Sequence, residues 1–261
     1  MSTHAVEVGA GVVVKRFRAW DQGQHRREWR ALTLLAEYAP DLAPRPVRAD
    51  LEADPPSVTM SRLGGVPLTA PVTPERLARL AEALETAQRA LPAHVLAELP
   101  FRLLHPREAL RSLRRWCVRR PPEPNAGPLV TRAFGAASAW VARPRLDEVF
   151  DAELTPVFGL GDGNLANYLW DGSRVRIVDF EYSGRGDRAY ELAEAVEHVS
   201  GHGVLDGAAL LGHFELTAAE TVRLRECRRL LALFWFLSLT AEDPAGALTQ
   251  RAERLLALLE T

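Results

Sequence analysis

Hydrophobic and polar positions alternate in short runs at the front of the chain and recur at helical spacing over most of the rest. His4 to Val8 alternates, Gly9-Ala10-Gly11 offers a turn, and Gly11 to Phe17 is β-branched, so a hairpin is expected. Asp21 to Tyr38 carries Trp29, Leu32, Leu35 and Ala36 at helical spacing, with Asp21 as the expected N-cap. Pro40, Pro44 and Pro46 end that helix. Two further strands are expected over Val47 to Leu51 and Ser57 to Leu63, before Gly64-Gly65. This order of elements makes a small sheet with one covering helix.

Beyond Gly65 the pattern turns helical, over Pro74 to Leu91, Pro106 to Val118 and Leu129 to Ala142, the first two opened by a proline that the first turn tolerates. A mixed stretch from Pro156 to Gly186 follows. Helical spacing then returns over Asp187 to Val199, Thr217 to Leu239 and Ala245 to Leu259. No repeat is visible, and the one low-complexity tract is Pro121 to Pro124. The expected architecture is α+β: a small β-rich lobe over residues 1–65, a Gly64-Gly65 hinge, and a larger, mainly helical lobe over residues 66–261.

The mixed stretch carries the chemistry. From Phe158 to Tyr190 it reads FGLGDGNLANYLWDGSRVRIVDFEYSGRGDRAY. Tyr168 to Trp170 and Val175 to Phe180 form an expected hairpin across Asp171-Gly172. That geometry brings Asp162 and Asn167, from the glycine-broken loop, toward the same sheet end as Asp179. Three converging oxygen ligands suit a magnesium-dependent phosphoryl transfer, with one carboxylate for the attacking hydroxyl and an amide and a carboxylate for the metal.

Composition sharpens one position. The 261 residues are 47% hydrophobic and 25% charged, the balance of a globular chain. Of 32 basic residues only Lys15 is lysine. A compact ammonium between phosphate oxygens does what a wide guanidinium fork does poorly, so Lys15 stands where arginine would fail. The net charge of -2 gives no global reason to expect nucleic acid or a membrane as partner. Cys117 and Cys227 match no zinc or redox spacing, no signal peptide is evident, and the longest apolar run near the end, Leu230 to Leu239, is too short to span a bilayer. A cytoplasmic location is expected.

The order Asp162, Asn167, Asp179 in IVDFE, then GDRAYELA, resembles the aminoglycoside phosphotransferase and choline kinase-like family, whose pattern is HGDxxxxN, a DxE or DxD element, and GDxxxDLA. The resemblance covers roughly residues 5 to 200 and implies a two-lobed, protein-kinase-like fold. It implies Asp162 as the catalytic aspartate, Asn167 and Asp179 as magnesium ligands, and Lys15 in VVVKRF on the nucleotide phosphates, paired with Glu28 in HRREWRAL. SVTMSRLGG looks like the strand leading to the adenine site, with Met60 at its inner end and backbone groups of Ser61 and Leu63 on the adenine edge. Asp187 is expected to cap the following helix and brace the catalytic loop. The implied activity is transfer of the γ-phosphate of ATP or GTP to a hydroxyl of a small molecule, an antibiotic or natural-product intermediate. The alternatives are a serine or threonine kinase for an acidic peptide and a non-catalytic pseudokinase module.

Two departures bear on this. The family places a supporting histidine two positions before the catalytic aspartate, where this chain has Leu160. Too few residues precede the hairpin for the usual extra strand and glycine-rich phosphate loop, which implies a downstream start, a partner subunit that completes the lobe, or weak nucleotide binding. Charge bears on the acceptor. Glu191, Glu194 and Glu197 are candidates for an acidic surface suited to polyamine sugars, whereas Arg111, Arg114, Arg115, Arg119 and Arg120 read either as a basic face suited to an anionic acceptor or an acidic peptide, or as the solvated helix face of an arginine-rich chain. Glu194, His198 and His202 have zinc-compatible spacing but read better as a helix end, and Trp235 with Phe234 and Phe236 reads as core.

Overall fold

The structure is a computed structural model that describes residues 4–69, 71–122, 126–152, 154–238 and 246–261. It opens with β1 (Ala5–Val8) and β2 (Val12–Arg16), joined by the Gly9 to Gly11 turn, in which Gly9 N–H donates to Val12 O at 2.9 Å. Then come α1 (Gln24–Tyr38), β3 (Pro46–Asp50) and β4 (Ser57–Ser61). The four strands form one antiparallel sheet in the order β1-β2-β4-β3, with Lys15 opposite Val6 on one side and Val58 on the other.

Helix α1 lies against this sheet, burying Glu28, Ala31, Leu32 and Leu35. Positions three, four and seven apart share one helix face, so the apolar stripe carries Glu28 with it toward β2. The helix starts later than expected. Gly23, in the left-handed conformation, occupies the cap position, and Asp21 lies in the preceding turn.

After β4 the chain leaves this sheet. β5 (Val66–Pro67) pairs with β7 (Tyr168–Trp170), which pairs with β8 (Val175–Ile177) across the Asp171-Gly172 turn. Gly65 sits at φ 122°, and a Cβ there would lie 2.7 Å from Trp170 O, so only glycine allows the close approach that starts β5. The rest of the second region is helical, with α2 (Pro74–Arg89), α3 (Ala93–Ala97), α4 (Pro106–Arg119), α5 (Pro128–Val141) and α6 (Arg145–Asp151) before the mixed stretch. Within that stretch β6 (Pro156–Gly159) pairs with β9 (Gly184–Asp187). Then follow α7 (Arg188–Glu197), α8 (Gly207–Leu211), α9 (Ala218–Leu237) and α10 (Ala247–Leu259).

Strand β8 stops at Ile177, shorter than expected, because Asp179 adopts φ 71° and turns the chain away from the ladder. Helix α7 is buried on every side and packs along α9, so it forms the centre of the second core. Asp187 caps it by accepting from Tyr190 N–H at 3.1 Å. At α9, Thr217 and Glu220 form a reciprocal capping box. The expected Pro121 to Pro124 loop and the helix ends at Leu239 and Ala245 fall wholly or partly outside the described residues.

Candidate active site

A cavity of about 370 Å³ lies between the four-stranded sheet and the mixed stretch. Its lining includes every residue singled out in the sequence as catalytic, nucleotide-binding or metal-binding: Lys15, Glu28, Met60, Ser61, Leu63, Asp162, Asn167 and Asp179. His4, Glu181 and Tyr182 line it too.

Lys15 stands at the centre. The residue is 6% exposed and its ammonium contacts three carboxylates: Asp179 Oδ1 at 2.6 Å, Glu181 Oε2 at 2.6 Å and Glu28 Oε2 at 3.2 Å. Burial alone would push its pKa down, but Glu28, Asp179 and Glu181 together reverse this and hold it above the ordinary lysine value. Glu28 is fully buried; burial pushes its carboxyl upward and Lys15 opposes the shift. Glu28 Oε2 also accepts from Phe180 N–H at 2.9 Å, so one carboxylate ties β2, α1 and the Asp179 turn together.

Glu181 was not among the residues singled out. Its signal was present in the DFE spacing, which places a second acid two residues after Asp179. Glu28, Asp179 and Glu181 are the one group of potential metal-holding side chains found among the described residues. His4 is likewise unanticipated. Its Nδ1 accepts from Arg18 N–H at 3.1 Å and its Nε2 lies 2.7 Å from Glu181 Oε2, which braces Glu181 beside Lys15.

The loop that carries Asp162 and Asn167 follows β6. Gly161 has φ 91°, and a Cβ there would come within 2.5 Å of Tyr182, so the turn into Asp162 requires glycine. Asp162 Oδ1 accepts from Asn164 N–H and its Oδ2 from Asn167 Nδ2, both at 3.0 Å. The second contact commits the Asn167 amide nitrogen and leaves its oxygen as a ligand.

Behind this loop lies a buried network that the sequence reading placed elsewhere. Arg102 is 1% exposed; it donates to Glu191 at 2.8 Å, Glu194 at 2.5 Å and the Gly161 carbonyl at 2.9 Å, and its guanidinium lies over Tyr190. Glu191 in turn accepts from Leu160 N–H at 2.8 Å. Burial pushes Glu194 up to about 7 against the pull of Arg102. Glu197 is 1% exposed and pairs with Arg228 and Arg254. The three glutamates of α7 therefore do not form an acidic acceptor surface; they are withdrawn into ion pairs because their helix is the core of its lobe.

Arg114 pairs with Asp147, whereas Arg111, Arg115, Arg119 and Arg120 are exposed. His198 and Glu194 do not share a metal site, since Glu194 belongs to Arg102 and His198 faces Asp162. Phe236 is core, as expected, but Phe234 and Trp235 are only half-buried.

The side chains of Glu28, Asp179 and Glu181, with the Asn167 amide, offer oxygen donors to the cavity, which fit a hard cation such as magnesium better than zinc. Three carboxylates around one ammonium leave a net negative centre, and a divalent ion beside Asp179 would relieve it.

The fold has solved counterparts. A choline/ethanolamine kinase family protein from Mesorhizobium loti is similar at TM-score 0.65 and 18% identity, over 100% of this chain and 86% of that one. Choline kinase LicA from Streptococcus pneumoniae gives 0.65 and 15%, over 99% and 89%. Aminoglycoside phosphotransferase APH(4)-Ia gives 0.68 and 16%, over 100% and 90%. A search of curated protein sequences finds no match. The model of the phosphotransferase enzyme family, APH, matches residues 2–231, and with that match over most of its length the chain belongs to this family of kinase-fold enzymes.

Proposed function

We propose that this chain transfers the γ-phosphate of ATP or GTP to a hydroxyl of a small molecule, an antibiotic or natural-product intermediate, in a magnesium-dependent reaction. The observation that carries the reading is the gathering of Lys15 from β2, Asp162 and Asn167 from the loop after β6, and Asp179 from the turn after β8 around one cavity. Relatives of the fold solved with ADP and hygromycin B, or with GDP, support a nucleotide and a small acceptor. The lobes divide at Gly65, and the cavity lies between them.

Each residue then has a task. Met60, Ser61 and Leu63 line the sheet side of the cavity, where they receive the nucleotide base. Lys15, anchored by Glu28, turns its ammonium to the α- and β-phosphates. Asn167 and Asp179 hold magnesium, which supplies charge neutralisation on the phosphates. Asp162, its carboxylate fixed by Asn164 and Asn167, accepts the proton of the attacking hydroxyl. Asp179 Oδ1 is bonded to Lys15, and its second carboxylate oxygen would be the one offered to the metal.

The deciding experiment uses two variants. Asp162→Asn is expected to lose turnover and keep nucleotide affinity, and Asp179→Asn to lose the magnesium-dependent part of nucleotide binding in calorimetry. Wild-type turnover in Asp162→Asn would sink the mechanism. Absence of any magnesium-dependent nucleotide binding in the native chain would favour a non-catalytic module.

A further inference from the structure

The C-terminal end of α7 closes against the back of the catalytic loop through His198 and Ser200. Leu165 N–H, in the turn after Asp162, donates to Ser200 Oγ at 2.8 Å. The same oxygen lies 2.7 Å from His198 Nδ1, and Ser200 N–H also points at Nδ1, at 3.2 Å. A hydroxyl carries one proton. Because Ser200 N–H donates to Nδ1, that ring nitrogen is an acceptor, and the hydroxyl proton points to it while the hydroxyl oxygen accepts from Leu165. The imidazole hydrogen is thereby assigned to Nε2, the atom that lies 3.5 Å from Asp162 Oδ1.

The ring is held in that orientation. His198 is buried, and Trp235 packs edge-on against it with centroids 4.7 Å apart. Burial, opposed by Asp162 and reinforced by His202, holds its pKa below the ordinary histidine value, so the ring is a neutral donor. A separation of 3.5 Å is the outer edge of hydrogen-bond reach, and contacts of catalytic groups are commonly long without substrate. Leu160, two positions before Asp162, has no side-chain donor; its backbone is held by Glu191 instead. The loop thus has separate anchors for its backbone and for its carboxylate.

We propose that His198 is the positioning residue of Asp162, donating its Nε2 hydrogen to the carboxylate from the end of α7. This rests on Asp162 being the group that receives the hydroxyl proton. Oδ1 then takes hydrogen bonds from Asn164 and His198 while Oδ2 takes one from Asn167, which leaves a lone pair of Oδ2 for the substrate hydroxyl. Fixing that direction matters because small misplacements of a reacting group cost large factors in rate.

The test uses the full chain and magnesium-dependent hydrolysis of ATP and of GTP, with water as acceptor. His198→Ala is expected to lower kcat about tenfold or more and to leave KM for the nucleotide within about twofold. Glutamine sets its amide nitrogen near the place of Nε2 and asparagine near that of Nδ1, so His198→Gln recovers most of the rate and His198→Asn does not. His198→Ala combined with Asp162→Asn is no slower than Asp162→Asn alone.

Unchanged kcat in His198→Ala, equal rescue by asparagine, or multiplicative losses in the double variant overturns the proposal while the Asp162 reading stands. Wild-type hydrolysis in Asp162→Asn overturns both. A readout independent of turnover is the histidine nitrogen spectrum, in which His198 is expected as the Nε2–H form and its Nε2 signal shifts in Asp162→Asn. An Nδ1–H form, or an Nε2 signal that Asp162→Asn does not move, overturns the proposal even if hydrolysis is too slow to measure.

Discussion

Lys15 Nζ and Asp179 Oδ1 lie 2.6 Å apart, although 164 positions separate them in the chain. The contact spans the cavity from β2 to the turn after β8 and puts the candidate phosphate-binding cation on the candidate metal ligand. Glu28 and Glu181 complete the cluster, so Lys15 is charge-compensated before any nucleotide arrives.

That arrangement gives the lysine a structural role. Lys15→Met would leave Glu28 buried without its cation, an expected loss of about 3–5 kcal/mol of unfolding free energy. Lys15→Met combined with Glu28→Met removes both charges and is expected to recover most of it. Urea denaturation of the two variants checks this, and equal destabilisation in both would argue that the pair is not what holds β2 to α1.

The Arg102 network gives a second expectation. Arg102→Met strands Glu191 and Glu194 in the core and is expected to cost about 3–5 kcal/mol. It also frees Leu160 N–H and the Gly161 carbonyl from their common brace, so turnover should fall even at temperatures where the variant stays folded. Circular dichroism melts alongside nucleotide-consumption rates separate the two effects.

His105 supplies the pH dependence. Burial, against the pull of Asp187 and helped by Arg107, Arg223 and Arg102, lowers its pKa from 6.5 to about 4. The unfolded chain therefore binds this proton first as pH falls. The contribution to stability is complete above about pH 6.5 and is lost as pH drops toward 4. His105→Asn is expected to flatten part of that slope in denaturation midpoints measured at pH 7.5, 6 and 5; His4, His25, His198 and His202, with lowered values, add to the slope, while Glu28 and Glu194, with raised values, oppose it. An unaltered slope counts against the assignment.

The charge exposed on α4 sets an expectation for the acceptor. With the glutamates of α7 buried, the exposed charges of α4 are Arg111, Arg115 and Arg119, four apart and so on one face, opposed by Glu108 alone. A polycationic aminoglycoside is expected to be a poor acceptor. Nucleotide consumption with hygromycin B should stay close to the acceptor-free rate, and a large stimulation would show that another surface binds the sugar.

Much of the site was legible in the sequence because its residues break local rules. Lys15 is the sole lysine, Glu28 sits on an apolar helical stripe, and Asp162, Asn167 and Asp179 keep a fixed spacing through glycine-rich loops. The hairpins and most helices were legible for the ordinary reason that period two and period 3.6 differ. Local pattern did not reveal which way the charges face. Glu191, Glu194 and Glu197 look like a solvated row, but α7 carries Ala189, Leu192, Ala193, Ala195 and Val196 on its remaining sides and is buried all round. Arg102 gave no local sign at all, since its partners come from 59 to 92 positions away.

The sequence by itself determined the front hairpin, the longer helices and the residue types available for phosphoryl transfer, because these follow from side-chain periodicity and from motif spacing along the chain. Only the tertiary structure decided that Glu181 joins Lys15, that Arg102 braces the loop at the Gly161 carbonyl, and that His198 comes to Asp162 where Leu160 could offer no donor. Those are pairings between distant segments, set by which faces the two cores bury, and nothing in the order of neighbouring residues encodes them.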